Sequence, residues 1–210
     1  MVIASRIKTQ PQTQPQTQAP PRRDNRRPQL LDAAARNFRE QGYAAASMRD
    51  IAAGAGMKAG SMYYYFASKA DLLIAVHEEG IRRISAAVDE AVVSGSDPWS
   101  RLRAAMSAHL SVLLDGGDYA QVVIRELPLH EYAVRERLVP LRDEYEARFA
   151  QLFDDLPLVD GASRRHLRLL VLGALNWSQT WYRPGGDTPT EIAGAFLDLL
   201  KPLAAESSRQ

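Results

Sequence analysis

SMRDIAAGAGMKAGSMYYYFASKADLL, residues Ser47–Leu73, is the stretch that decides the fold of this chain. Ser47 suits the N-cap of a short helix, Met48–Gly54, because its hydroxyl can accept from the unpaired N–H groups of a first turn. Met48, Ile51, Ala52 and Ala55 fall on the inner side of that helix. Ala55–Gly56 makes a tight turn, Lys58–Tyr64 forms a second short helix, and Ser68 caps a long third one. Two short helices across a Gly-containing turn, in a basic context, are the ingredients of a helix-turn-helix.

In such a unit the first helix crosses the DNA backbone and the second enters the major groove. Lys58, Ala59, Gly60 and Ser61 open the second helix. Their small members allow close approach to base edges, while Lys58 and Ser61 can meet a base acceptor or a phosphate. Tyr63 and Tyr64 offer hydroxyls to phosphates; Ile51, Met62 and Phe66 read as core, and Tyr65 as packed inward. Ser68–Lys69 opens the next helix, where backbone N–H groups and an ammonium favour an anion.

Working outward, residues 1–27 read as a disordered basic Gln/Pro tail. TQPQ occurs at Thr9–Gln12 and again at Thr13–Gln16, followed by Arg22, Arg23, Arg26 and Arg27. This segment suits either an arm on DNA phosphates or a plain linker. A helix-turn-helix domain is expected over 28–74, with Pro28 in a first turn, Leu30, Ala34 and Phe38 on one face, and Gly42 ending the helix. Over 75–205 the pattern predicts helices near 98–115, 118–127, 131–154, 161–182 and 188–204. Leu167–Trp181 is apolar on several faces, and Ile192, Phe196, Leu199, Leu200 and Leu203 mark one stripe. No β-type alternation runs long enough to matter. The fold class is all-α, a three-helix head on a C-terminal helical bundle.

Composition narrows the function. The 210 residues are 46% hydrophobic and 24% charged, ordinary for a globular protein, and contain no cysteine. Disulfides, zinc–thiolate sites and cysteine nucleophiles are therefore excluded. No apolar run approaches the roughly 18–20 residues of a membrane span. Arg6 and Lys8 lead into Gln, Thr and Pro rather than a signal-peptide core, so a soluble cytoplasmic protein is expected. Charge is unevenly spread. Residues 1–77 carry 11 Lys/Arg against 5 Asp/Glu, net +6, and residues 78–210 carry 15 against 20, net −5. A basic head on an acidic body suggests nucleic acid as a partner of the head.

The histidines, His77, His109, His130 and His166, form no metal-ligand spacing. There is no Gly-rich phosphate loop or nucleophile elbow, and His130–Glu131 after Pro128 reads as surface. No catalysis, metal or cofactor is expected.

The residues Ser47–Leu73 resemble the DNA-binding domain of the TetR family of transcriptional repressors, and the likeness extends over about Leu30–Val76. The resemblance implies that Ser47, Tyr63 and Lys69 hold phosphates and that Lys58, Ala59, Gly60, Ser61 and Tyr64 meet the groove. Ala59 stands where relatives often have Lys or Arg, and Tyr64 where a His often follows the first Tyr, so the operator sequence does not transfer. The resemblance also implies a ligand-binding and dimerisation domain whose last two long helices pair in a four-helix bundle. A homodimer places two recognition helices about 34–36 Å apart on a pseudo-palindromic operator, released by a small-molecule effector.

The segment LGALNWSQTWYRPGGDTP, Leu172–Pro189, is similar to a branch of the family that senses CoA thioesters. Trp177 and Trp181 then line either an effector pocket or the dimer interface, and Arg183 is available for a carboxylate or phosphate. His109 and Arg125 are further ligand candidates, with Trp99, Met106 and Tyr119 behind them. Two rival functions remain: an activator or architectural DNA binder without small-molecule sensing, and a scaffold that binds no DNA.

Overall fold

The structure, a computed structural model, describes residues 26–115, 117–125 and 131–204. Most of the expected tail, with Arg22 and Arg23, and the pair Pro128 and His130 lie outside the described residues.

Helix α1 spans Arg26–Ala45 and buries Leu30, Ala34 and Phe38 completely. It begins two residues before Pro28, with the Arg27 guanidinium 5.4 Å over the Phe66 ring. Pro28 stays within the first turn, where no intrahelical N–H is needed. At Gly42 the backbone adopts φ 78°, a conformation open to glycine, and regular helix geometry stops. The last turn then carries Tyr43 inward, its ring 5.8 Å from that of Phe38.

Helices α2 (Met48–Gly54) and α3 (Ala59–Met62) follow, then α4 (Lys69–Val92). Ser47 accepts from the Asp50 N–H at 3.1 Å, and Ser68 repeats the device on Asp71 at 3.0 Å. The second short helix is shorter than the sequence suggests. Regular α-geometry ends at Met62, and residues 63–65 continue as a turn because Phe66 is pulled into the core, donating its N–H to the Met62 carbonyl.

The body comprises α5 (Pro98–Leu114), α6 (Asp118–Arg125), α7 (Tyr132–Asp154), α8 (Arg164–Trp181) and α9 (Pro189–Leu200), closed by a 3-10 turn at Lys201–Leu203. Reciprocal capping boxes start α5 (Asp97 with Ser100) and α9 (Thr188 with Glu191), each with Pro as the first helical residue. No strand occurs among the described residues, only an isolated bridge between Leu158 and Ala204. No described helix is long and apolar enough to cross a membrane.

Two cores result. Head residues Ile51, Met62, Leu72 and Leu73 pack with α1, while Leu102, Met106, Leu110, Phe149, Phe153, Leu175 and Leu197 fill the body. Helix α4 belongs to both, giving Leu72, Leu73 and Val76 to the first core and Ile84 and Val88 to the second. The boundary expected at 74/75 therefore falls inside a continuous helix. Helix α6 bridges as well. Tyr119 donates to Asp32 of α1 at 2.7 Å, and Arg39 of α1 pairs with Asp118 at 2.9 Å.

Candidate DNA interface and effector cavity

On the head, one side of α3 is buried and the other is open. Met62 is fully buried, whereas Tyr63 is 55% and Tyr64 91% exposed. Lys58 and Gly60 are also exposed, Ala59 and Ser61 half-buried, and a β-carbon at Gly60 would meet nothing within 4 Å. An exposed tyrosine at this level leaves apolar surface in water, which is informative when it borders a basic, small-residue helix end. Ser47 is half-buried at the start of α2, with its hydroxyl donating to the Asp50 carboxylate at 2.6 Å. Lys58, Gly60, Tyr63 and Tyr64 are thus the exposed members of this segment.

Lys69 is placed differently from the phosphate contact that the sequence suggests. Its ammonium donates to the carbonyls of Tyr43 at 2.7 Å, Ala46 at 3.0 Å and Ala44 at 3.1 Å, and lies 4.6 Å over the Tyr43 ring. Three N–H donors meet three carbonyls at the end of α1, so the charge is spent on the protein itself. The Tyr43 hydroxyl continues the chain by donating to Glu131 at 3.1 Å, and burial followed by that carboxylate pushes the phenol up to about 12. Next to it, Arg137 of α7 pairs with Asp71 at 2.9 Å. The Ser68 hydroxyl and then Arg137 hold the Asp71 carboxyl below its usual range.

In the body a cavity of about 220 Å³ opens between α4, α5, α6, α7 and α8. Ile81, Ile84, Val123, Ile124 and Leu172 form its apolar wall, with His109, Tyr145 and Asn176 as polar members and Arg142 and Glu146 also on the lining. His109 is buried, with Nδ1 2.6 Å from the Tyr145 hydroxyl. Burial lowers its pKa to about 4, with the Asn176 side chain acting in the opposite sense. Burial likewise raises the Tyr145 phenol.

Of the ligand candidates read from the sequence, His109 lies on this wall and the others do not. Trp177 is 66% and Trp181 44% exposed on the outer side of α8, where Trp181 meets the Phe196 ring at 6.4 Å. Arg183 is exposed beyond the end of α8, and Arg125 is turned outward, donating to Gln179 at 3.0 Å. Met106 and Tyr119 are buried in the cores and Trp99 is half-buried. The helical phase of α8 explains the tryptophans. Leu172, Leu175 and Ser178 take the inward side, so positions 177 and 181 must face out.

Sequence reading missed most of the wall. Ile81 and Ile84 continue the α4 stripe, and Tyr145 lies one turn before the buried Phe149 on a highly charged helix; that spacing of aromatics was the available signal.

A second outward feature is apolar. Leu170, Trp177 and Trp181 project from α8 with Gly173 between them, and nothing lies within 4 Å of a β-carbon built at Gly173. Leu199 of α9, three residues on from the Phe196 that meets Trp181, is 75% exposed. Spacings of three and four residues put positions 170, 173, 177 and 181 on one stripe.

A helix-turn-helix head with an exposed recognition segment, joined through a shared helix to a body with a partly open cavity, defines a DNA-binding regulator with an effector domain. Residues 30–76 match the family model described as "Bacterial regulatory proteins, tetR family", and residues 95–202 match "Tetracyclin repressor-like, C-terminal domain". The chain belongs to the TetR family.

It is similar to the HTH-type transcriptional repressor KstR2 of Mycobacterium tuberculosis (strain ATCC 25618 / H37Rv), 31% identical over 178 residues, covering 81% of this chain and 88% of that one. The HTH-type transcriptional activator FasR of Mycolicibacterium smegmatis is 27% identical over 172 residues, covering 80% and 77%. Among solved structures, AibR in complex with isovaleryl coenzyme A and operator DNA shares the fold, with a TM-score of 0.75 at 24% identity over 85% of this chain and 99% of that one. These relatives are regulators of transcription, not enzymes.

Proposed function

We propose that this protein is a homodimeric, cytoplasmic transcriptional repressor that leaves a pseudo-palindromic operator when a small hydrophobic or acyl-CoA-like effector fills the body cavity. The single observation that carries the reading is the exposed face at α3, where Tyr64 stands 91% exposed above a fully buried Met62. Lys58, Ala59, Gly60, Ser61 and Tyr64 are assigned to the groove, and Ser47 and Tyr63 to phosphates. Lys69 serves the same surface from behind, by fixing the end of α1 against the start of α4.

Dimerisation is assigned to the apolar stripe on α8 with Leu199 of α9, since a self-complementary surface of this kind is the common way to bury outward tryptophans. Effector control then follows from shared elements. Helix α4 carries both Lys69 and the cavity residues Ile81 and Ile84, and α6 carries both Tyr119, bonded to α1, and the cavity residues Val123 and Ile124. A ligand that separates α6 from α4 shifts the heads only if it binds one arrangement more tightly than the other.

Selection of bound fragments from a genomic DNA pool, using the full chain, tests the reading. An enriched inverted repeat is expected, and its occupancy should fall when acyl-CoA thioesters are added. A bound repeat unaffected by any effector would favour the activator or architectural reading, in keeping with FasR being an activator. No enrichment by the folded dimer would overturn the DNA-binding assignment.

A further inference from the structure

Three arginines at the start of α8, Arg164, Arg165 and Arg168, line one depression of about 150 Å³ together with Ala150 and Phe153 of α7. Arg101, Arg137, Arg142 and Arg148 elsewhere in the body each hold an ion pair, whereas these three have none among the described residues. Arg164 donates to the Leu156 carbonyl at 2.9 Å, a neutral acceptor that fixes the side chain and leaves its charge uncompensated. Arg168 is half-buried, and its Nε is enclosed with no hydrogen-bond partner among the described residues. Asp154 also borders the depression, exposed and unpaired with any of them.

As it stands, this arrangement is unfavourable. Three like charges share one small site, and they sit where the backbone dipole of an 18-residue helix is already positive. A guanidinium withdrawn from water without a partner also loses hydration that nothing replaces. An oxyanion held among the three would relieve both effects through charge-assisted, forked hydrogen bonds.

Position narrows the anion's source. At about 100° per residue, Arg164, Arg165 and Arg168 occupy the side of α8 opposite Leu170, Gly173, Trp177 and Trp181, so pairing through that stripe leaves them open. The depression shares no lining residue with the body cavity. It also lies far from the head. Helix α4 runs 24 residues from Lys69 to Val92, about 36 Å, and Arg101 of the next helix then reaches Asp155 at 3.7 Å, beside the depression. Phosphates on the head are therefore several Debye lengths away, which disfavours a duplex as occupant. The small volume suits one tetrahedral oxyanion rather than a peptide.

We propose that Arg164, Arg165 and Arg168 form an anion site on the body for one phosphoryl group, either free phosphate or the end of a small phosphomonoester. The site is separate from the operator surface and from the effector cavity, and it stands whether or not those two readings hold.

The test follows arginine Nε–H signals in ¹⁵N NMR spectra of the full-length protein at fixed ionic strength. Inorganic phosphate and methyl phosphate are the probes, and chloride is the control. Inorganic phosphate should shift the Arg168 signal saturably with Kd of about 1 mM, the scale of a few charge-assisted hydrogen bonds in an open site. Arg168→Met, followed through the Arg164 signal, should weaken binding about ten-fold, one such bond's worth. Arg165→Gln, at an exposed position, should do likewise and carries the test if the first variant fails to fold. Lys58→Ala removes a cation from the head and should leave this titration unchanged. Methyl phosphate binding as tightly as phosphate would support the site and identify a monoester as its occupant; its exclusion beside bound phosphate would support the site for the free ion. A shift that chloride reproduces, that never saturates, or that both arginine variants retain at full strength would overturn the site.

Discussion

The Lys69 ammonium is 2.7 Å from the Tyr43 carbonyl oxygen and 4.6 Å above the centre of the Tyr43 ring. One residue thus closes the end of α1 through its backbone and its aromatic face together, at the root of α4. Hydrogen bonds from a charged donor contribute about 1.5–3 kcal/mol, and cation–π contact adds about 0.5–1 kcal/mol at accessible sites. Lys69→Met should therefore destabilise the protein by about 2 kcal/mol, or a fall of about 4–8 °C in Tm for a chain of this size. Operator affinity should drop with it, while the slope of log K against log salt stays unchanged, because no phosphate contact is lost. A slope reduced by about one, measured by anisotropy at several salt concentrations, would return Lys69 to the phosphates.

Tyr64 should behave in the opposite way. At 91% exposure it contributes little to packing, so Tyr64→Ala should leave stability within about 0.5 kcal/mol. If it meets the groove, operator binding should weaken by about ten-fold, a single good contact's worth. Thermal unfolding and a binding titration on the same preparation separate the two effects. Unchanged affinity would remove Tyr64 from the interface.

How far the sequence could be read followed from the type of information each residue carries. Ser47, Ser68 and Gly42 act locally: a cap or a φ of 78° is decided by the residue and its immediate neighbours, and all three stand where their residue types place them. Periodicity placed the body helices to within a few residues for the same reason. Phase around a helix, by contrast, depends on what it packs against. Trp177 and Trp181 point outward because Leu172, Leu175 and Ser178 won the inner side, and no local rule ranks these sets. Lys69 illustrates a second limit. A lysine after a helix cap suits an anion from outside and carbonyls from inside equally well, and only the fold brings the end of α1 to within reach.

Gly80 lets α6 approach α4. A β-carbon there would lie 2.6 Å from Cγ2 of Val123 and 3.2 Å from the Tyr119 carbonyl oxygen. Gly80→Ala should force the helices apart, and overpacking of this kind costs about 1–3 kcal/mol. Since Val123 lines the cavity and Tyr119 ties α6 to Asp32, the same variant should alter the effector concentration that releases operator. Adding Val123→Ala removes the nearer clash and should restore part of the stability. Operator release and unfolding measured on single and double variants check both claims; strictly additive losses would show that the two positions do not meet.

The outer stripe of α8 makes a separate prediction. Trp177 is 66% and Leu170 65% exposed, with open space over Gly173 between them. A carboxylate placed there is harmless in a monomer but faces its own copy across a two-fold interface, where like charges repel and are desolvated. Trp177→Glu should therefore convert the dimer to a folded monomer in sedimentation velocity, with helical content unchanged. Binding to a full palindrome should fall by at least about 100-fold, because the second half-site no longer gains from linkage. A dimer that survives Trp177→Glu would place the interface elsewhere.

His109 gives the body an acid limit that differs from that of its carboxylates. Its pKa is lowered from 6.5 to about 4 by burial against Tyr145 and Phe149, so the folded state resists a proton that the unfolded chain accepts. Stability is therefore complete above the unfolded value near 6.5 and declines as pH falls from there toward 4. The full loss is on the order of 3 kcal/mol. Glu79 acts lower. Hydrogen bonds from Arg82 and then Arg83 hold it at about 2 against 4.5, so its contribution is lost only as pH falls below 4.5. Between pH 6.5 and 4.5 the slope belongs to buried histidine rather than to this carboxylate. Urea unfolding of the wild type should thus lose midpoint steadily across that interval, and His109→Phe should flatten the decline there while leaving the steeper loss below it. An unaltered slope in the variant would mean that the folded His109 ring accepts a proton as easily as the unfolded one.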